Sequence, residues 1–347
     1  MLIFFVMVLN DRYKQILKMV IDDYLSSGQP VGSRTIARKL GFGLSPATIR
    51  NIMADLEDWG YLTHPYTSAG RVPTDKGLRF YVDTFLTPRF LSEEEKEKIE
   101  SNISNYKGSI DSVLNTTSKV LSDLSESMGI VISPSFEKII FKNIHFEKLS
   151  FGNILMILVT PSNVLVTRIF KEKEYLTQDV LNRLSDYLEK NFAGKNLEIA
   201  MEYLLKEIPT QELLYNKMLK KLSTFLKNNI SEGKEKYEVY LEGRENLIGK
   251  PDLIDLDALK NLIRTIEEKT KFVRFLESIV DFHGVQVFFG SDVNFLSFFP
   301  FTLVVSKYEL GNENFGSLGI LGSRIMPYNR IIPLVDFTAK SLSSILS

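Results

Sequence analysis

The chain of 347 residues contains no cysteine. That removes disulfides, thiolate nucleophiles and cysteine-based zinc sites. Histidine is also scarce. The three present, His64, His145 and His283, lie far apart in sequence and do not suggest a metal site. No nucleophile–base pair or phosphate-binding loop stands out, so no enzyme and no cofactor are expected. Long apolar runs are missing too. Residues 1 to 8 are strongly apolar but too short to span a bilayer, and they lack a basic start and a small-residue cleavage site. We expect no signal peptide, no membrane segment, a folded part starting near Leu9 and a cytoplasmic protein. Neither sign of charge dominates, since the formal net charge is −1. The distribution is uneven, however. Residues 1 to 90 hold 11 Lys and Arg against 8 Asp and Glu, and the remainder holds 31 against 35. A slightly basic head on a slightly acidic body fits a small nucleic-acid-binding domain attached to something larger.

What the chain does have is concentrated between Ser45 and Asp83. Ser45 is a good helix N-cap and Pro46 suits the first helical position. Ile49, Ile52, Met53 and Leu56 recur at helical spacing and predict a buried face. Ala47, Thr48, Arg50 and Asn51 fall on other faces near the N-terminal end, the end of a recognition helix that meets base edges. Arg can read guanine and Asn adenine, each bidentately, in the major groove. Asp55, Glu57 and Asp58 would be repelled by phosphates, so only the first half of this helix is expected to enter a groove. Gly60 should end it. Tyr61 to His64 and Arg71-Val72 read as the strands of a hairpin wing. The small residues Thr67-Ser68-Ala69-Gly70 form its turn, so that the backbone can approach a phosphate and Arg71 can supply charge.

Upstream, Asn10 or Asp11 can cap a first helix. Tyr13, Ile16, Leu17, Val20, Ile21, Tyr24 and Leu25 form its apolar stripe, and Gly28 and Pro30 stop it. Ser33 is expected to cap a second helix, with Ile36, Ala37 and Leu40 facing inward and Arg34, Thr35, Arg38 and Lys39 outside. Three helices and a hairpin give a winged helix-turn-helix.

Three blocks make this specific. Pro30 to Ala37, Ser45 to Glu57 and Gly60 to Thr74 together resemble the heat-inducible transcription repressor family HrcA. The resemblance implies an α+β multidomain protein: an N-terminal winged helix-turn-helix, a GAF-like antiparallel α/β domain, and an inserted α+β dimerisation domain. The expected boundaries are 1–86 for the winged helix, 87–134 for a helical connector and the start of the GAF-like domain, 135–232 for the insertion and 233–347 for the remainder. It further implies a homodimer on double-stranded DNA carrying an inverted-repeat operator of chaperone operons, released on heat stress, with the GroEL chaperonin as a partner. We expect Thr48, Arg50 and Asn51 to face bases. Ser33, Arg34, Thr35, Ser45, Ser68, Gly70 and Arg71 would serve the DNA backbone or the wing. The alternative function is a ligand-gated regulator that senses a small molecule through its GAF-like domain.

Beyond the head, Ser92 and Glu95 form a capping box for a charged helix running to about Tyr106. Ile110, Val113, Leu114, Thr117, Val120, Leu121, Leu124 and Met128 line one face of another. That face is either a coiled-coil seam or, over so few turns, the side that lies on its own sheet. Ile139–Leu149, Ile154–Thr160 and Val164–Phe170 read as a meander. Helices are expected at about 178–192, 197–206, 211–229 and 256–280. Gly129 to Ile132, Tyr237–Leu241, Val285–Phe289, Thr302–Tyr308 and Ser317–Leu321 should form a mainly antiparallel five-stranded sheet, closed by a helix over Leu334–Leu346. Gly316, Gly319 and Gly322 are read as strand and turn glycines, because the strand-to-helix context of a dinucleotide fingerprint is absent. Asp281 and His283 read as a turn pair, His64 as a wing residue and His145 as structural.

Overall fold

The computed structural model describes residues 9–41, 43–65, 69–104, 109–171, 176–207, 237–248, 260, 264, 284–292, 300–311 and 314–346. The expected helix at 211–229, the Asp281–His283 pair, Ser68 and nearly all of the expected helix at 256–280 lie outside these residues.

Helix α1, Asp11–Ser27, starts where Asn10 accepts a bond from the Tyr13 amide at 3.1 Å. Its buried stripe is Ile16, Leu17, Val20, Ile21 and Tyr24. Gly28 ends it at φ 68°, a conformation glycine adopts freely. Helix α2, Ser33–Leu40, differs at its start from the sequence expectation. Gly32 holds the cap position and no side chain caps the helix, so Ser33 is already the first helical residue. Helix α3, Pro46–Asp58, begins as expected, with Ser45 accepting from the Thr48 amide at 3.1 Å. It buries Ile49, Ile52, Met53 and Leu56 against α1 and α2. Strands β1, Leu62–Thr63, and β2, Val72–Pro73, pair antiparallel. Helix α4, Asp75–Phe85, follows under a Thr74 cap.

Helix α5, Glu93–Ser104, opens with the expected reciprocal capping box: Ser92 N–H donates to Glu95 at 3.0 Å, and Glu95 N–H donates to Ser92 at 3.2 Å. Helix α6, Ile110–Ser125, buries its predicted apolar face. That face lies on the sheet rather than forming a coiled-coil seam within this chain. Met128 belongs not to this helix but to the next strand, because Glu126 adopts a left-handed turn (φ 51°) and stops it.

After strand β3, Met128–Ile132, the chain leaves this sheet and builds a separate unit before returning. That unit contains β4, Asn143–Lys148, β5, Asn153–Val159, and β6, Leu165–Lys171, an antiparallel meander in chain order. Helices α7, Gln178–Phe192, and α8, Leu197–Glu207, follow. Strand β4 starts four residues later than Ile139 because Phe136–Lys138 makes a tight 3-10 turn with Phe136 buried. His145 lies on the exposed face of β4 beside Glu147. The alternating burial of β5 shows one covered and one more open face.

The chain then rejoins its first sheet through β7, Val239–Glu242, which pairs with β3. Strands β8, Gln286–Phe289, β9, Phe301–Glu309, and β10, Phe315–Ser323, complete it in the order β7-β3-β10-β9-β8, antiparallel at every pairing. The three glycines Gly316, Gly319 and Gly322 all lie on β10. Helix α9, Tyr328–Leu346, packs on β9 and starts six residues before the expected Leu334. Pro333 sits inside it. A proline lacks the N–H that would bond to the carbonyl four residues back. Here that carbonyl, Asn329 O, accepts from the Arg89 amide at 2.8 Å instead.

Helix α4 faces the body across charged contacts. Arg324 forms an ion pair with one Asp75 oxygen at 2.7 Å, the Ser291 amide donates to the other at 3.0 Å, and Arg79 pairs with Asp292. Arg79 also lies over the Phe289 ring, 5.0 Å from its centre. Farther along, Arg330 bonds Glu95 at 3.0 Å. Among the described residues no helix is long and apolar enough to cross a membrane.

Candidate nucleic-acid interface

At the start of α3, Pro46 has no N–H, the Thr48 amide is capped by Ser45 and the Ile49 amide bonds Ser45 O, so this turn presents side chains rather than a row of free backbone donors. Pro46 and Ala47 are exposed, Thr48 is half-buried, and Arg50 and Asn51 are exposed. The opposite face carries Ile49 and Leu56, both fully buried, so the helix cannot rotate without opening the core. Arg50 and Asn51 are thereby held outward. The Thr48 hydroxyl is tied to the Ser45 hydroxyl at 2.9 Å, which links cap and first turn.

A cleft of about 450 Å³ lies beside this turn. It is lined by Ser33 and Arg34 from the start of α2, Arg50 and Met53 from α3, and Gly70 and Arg71 from the hairpin. Five of the sequence-predicted residues, spread over 39 positions of chain from Ser33 to Arg71, therefore meet around one concave surface. Ser45, Thr48 and Asn51 lie on the adjoining exposed turn of α3, and Thr35 is half-buried on α2. Arg34 and Arg50 form no ion pair among the described residues. Their charge is thus uncompensated locally and available to an anion.

The hairpin is fixed to the helices at the cleft wall. The Val31 amide donates to Arg71 O at 2.8 Å and the Arg71 amide to Val31 O at 2.9 Å. This antiparallel bridge makes the segment before α2 a third strand-like edge of the hairpin. Gly70 is required at the crossing. A Cβ there would sit 2.5 Å from Val31 O and 2.6 Å from Val31 C. Proximity to backbone, rather than turn flexibility, is what this glycine supplies.

The acidic second half of α3 is not idle. Tyr13 donates to Asp55 at 2.6 Å. Glu57 takes His64 on one oxygen and Arg71 on the other, the latter at 2.7 Å. His64 thereby anchors the hairpin to α3. On α4, Tyr81 donates to Asp22 at 2.7 Å. Burial first, and that acceptor second, push the Tyr81 phenol well above its ordinary value. Reading the sequence gave no hint of Glu57 as an anchor. Only the distance between its position and Arg71 in the folded chain reveals it.

Comparison with known proteins agrees with this architecture and extends over its length. The family model described as HrcA protein C terminal domain matches residues 111–332. The heat-inducible transcription repressor HrcA of Geobacter sulfurreducens is 36% identical over 338 residues, covering 97% of this chain and 98% of that one. Its counterpart in Syntrophobacter fumaroxidans is 33% identical over 339 residues, covering 97% of each. The crystal structure of a hypothetical protein at 2.2 Å resolution shares the fold, with a TM-score of 0.60 at 24% identity, over 97% of this chain and 98% of that one. These are matches to transcription repressors over nearly the whole chain. The chain belongs to the heat-inducible transcription repressor family HrcA.

Proposed function

We propose that residues 1–86 form a winged helix-turn-helix that binds double-stranded DNA sequence-specifically, with α3 as recognition helix and the β1–β2 hairpin as wing. One observation carries the reading. Arg50 and Asn51 stand exposed on the first turns of α3, beside a cleft that also gathers Ser33, Arg34, Gly70 and Arg71. Thr48, Arg50 and Asn51 face bases, where Arg and Asn suit guanine and adenine. Ser33, Arg34, Thr35, Ser45, Ser68, Gly70 and Arg71 line the path of the phosphates, Ser45 and Gly70 through their backbone.

The rest of the chain serves assembly and control. Residues 87–134 connect, 135–232 form an inserted dimerisation domain, and 233–347 complete a GAF-like domain. The unit between β3 and β7 supports the insertion, because those two strands pair with each other across it. A homodimer would place two recognition helices on an inverted-repeat operator, with half-sites spaced by whole turns of the duplex. Family membership supports chaperone operons as targets, release on heat stress and GroEL as partner. The ligand-gated alternative gains no specific observation in its favour.

The test is a mobility shift at physiological salt with an inverted-repeat chaperone operator and a scrambled duplex, before and after mild heating. Selective binding that disappears on heating is expected. Equal, weak binding to both duplexes, unchanged by added GroEL, would remove the reading.

A further inference from the structure

We infer that Glu57 positions the wing, and through it aims Arg71 at a DNA phosphate. This rests on the DNA-binding reading above. Glu57 lies in the last turn of α3. Two general forces argue against an acid there. The helix C-terminus carries partial negative charge, and so does the nucleic acid the helix would approach. Neither helix stability nor DNA attraction explains it.

The contacts do. One carboxylate oxygen takes His64 Nδ1, immediately after β1, and the other takes Arg71 Nη2 at 2.7 Å, immediately before β2. A single side chain therefore holds both strands at the base of the wing loop. The hairpin needs such a hold. Each of its strands is two residues long, and so short a pair is marginal by itself. The Val31–Arg71 bridge secures the backbone of β2 but leaves the guanidinium unplaced. Arg71 Nε is buried with no hydrogen-bond partner. Glu57 is the fixed point that turns the remaining donors of this planar group toward the cleft it lines. With side chains 22% and 25% exposed, Glu57 and Arg71 are shielded enough for the pairing to orient both. A guanidinium already held in its bound pose loses less freedom when it meets a phosphate.

The opposing idea is that Glu57 simply cancels the charge of Arg71 and weakens DNA binding. The two differ in sign. The experiment titrates the full-length chain against the inverted-repeat duplex between about 50 and about 200 mM salt. It compares wild type, Glu57→Gln, Arg71→Ala and the double variant. Glu57→Gln is expected to bind about tenfold more weakly although it removes a negative charge, and to flatten the slope of log affinity against log salt by about one. In the Arg71→Ala background the same change is expected to add nothing, the coupling a double-mutant cycle isolates. Glu57→Asp keeps the charge on a shorter arm, and is expected to weaken binding less than Gln but in the same direction. It serves the test alone if the Gln variant does not fold. Unchanged or tighter binding by Glu57→Gln overturns the inference, as does a lowered melting temperature with affinity and salt slope intact. Wild-type binding that ignores the operator sequence instead overturns the DNA-binding reading, and the inference falls with it.

Discussion

Replacing Gly70 by alanine should detach the hairpin from the segment before α2. The added Cβ would lie 2.5, 2.6 and 2.8 Å from O, C and N of Val31. Real Cβ atoms do not approach backbone so closely, and these are backbone atoms that cannot swing aside. The strands must separate, which breaks the Val31–Arg71 bridge with its bonds of 2.8 and 2.9 Å. Each such bond contributes about 1 kcal/mol net. Loss of both costs about 2 kcal/mol locally, which corresponds to roughly thirtyfold in an opening equilibrium. Hydrogen exchange read by mass spectrometry can see this directly. Peptides covering Val31 and Arg71 should exchange about thirtyfold faster in Gly70→Ala, while α6 and β10 keep their protection. The salt-dependent part of DNA affinity should fall together with wing protection. Exchange at Val31 and Arg71 within about threefold of wild type would show that the backbone accommodates the methyl, and would refute the reasoning.

Arg324→Met leaves Asp75 facing the body without its cation, and the Asp75 side chain is 12% exposed. Stranding a partly buried charge should cost about 1–3 kcal/mol in chemical denaturation, and adding Asp75→Asn should restore part of that loss, because removing both partners is cheaper than removing one. Glu95 should make stability depend on acid. The Ser92 backbone N–H above all, helped by the Arg330 guanidinium and opposed by partial burial, holds its carboxyl below the ordinary 4.5. A depressed folded pKa stabilises above the unfolded value, and that stabilisation disappears as pH falls through the folded one. The stability gap between wild type and Glu95→Gln should therefore be full at neutral pH and shrink below pH 4.5. A gap that stays constant across that window would contradict this assignment.

The elements set by local chemistry were readable in advance. Asn10 and Ser45 sit where helices begin, Gly28 and Gly60 where they end, and the Ser92–Glu95 capping box is formed as its spacing predicts. Apolar periodicity placed the buried faces of α1, α3 and α6 for the same reason: each stripe must meet one core. The misses came from tertiary compensation. The closing helix expected from Leu334 begins at Tyr328 and runs through Pro333, where Arg89, far away in sequence, satisfies the carbonyl that the proline abandons. Gly70 looked like a loop-tip residue, and only the crossing of Val31 shows why it is glycine. Among the candidate site residues, those on α3 followed from helical phase. The gathering of Ser33, Arg34 and Arg71 beside Arg50 followed from packing that no local pattern encodes. Ser68 lies outside the described residues.

The measurement closest to the central claim is a comparison of wild type and Arg50→Ala on an operator and on its single-base variants. If the first half of α3 reads bases, Arg50→Ala loses discrimination at one position in each half-site by about 1–3 kcal/mol and keeps it elsewhere. Affinity that falls equally on every duplex, with the preference at each position unchanged, would make Arg50 a phosphate contact and contradict the assignment of α3 as the reading element.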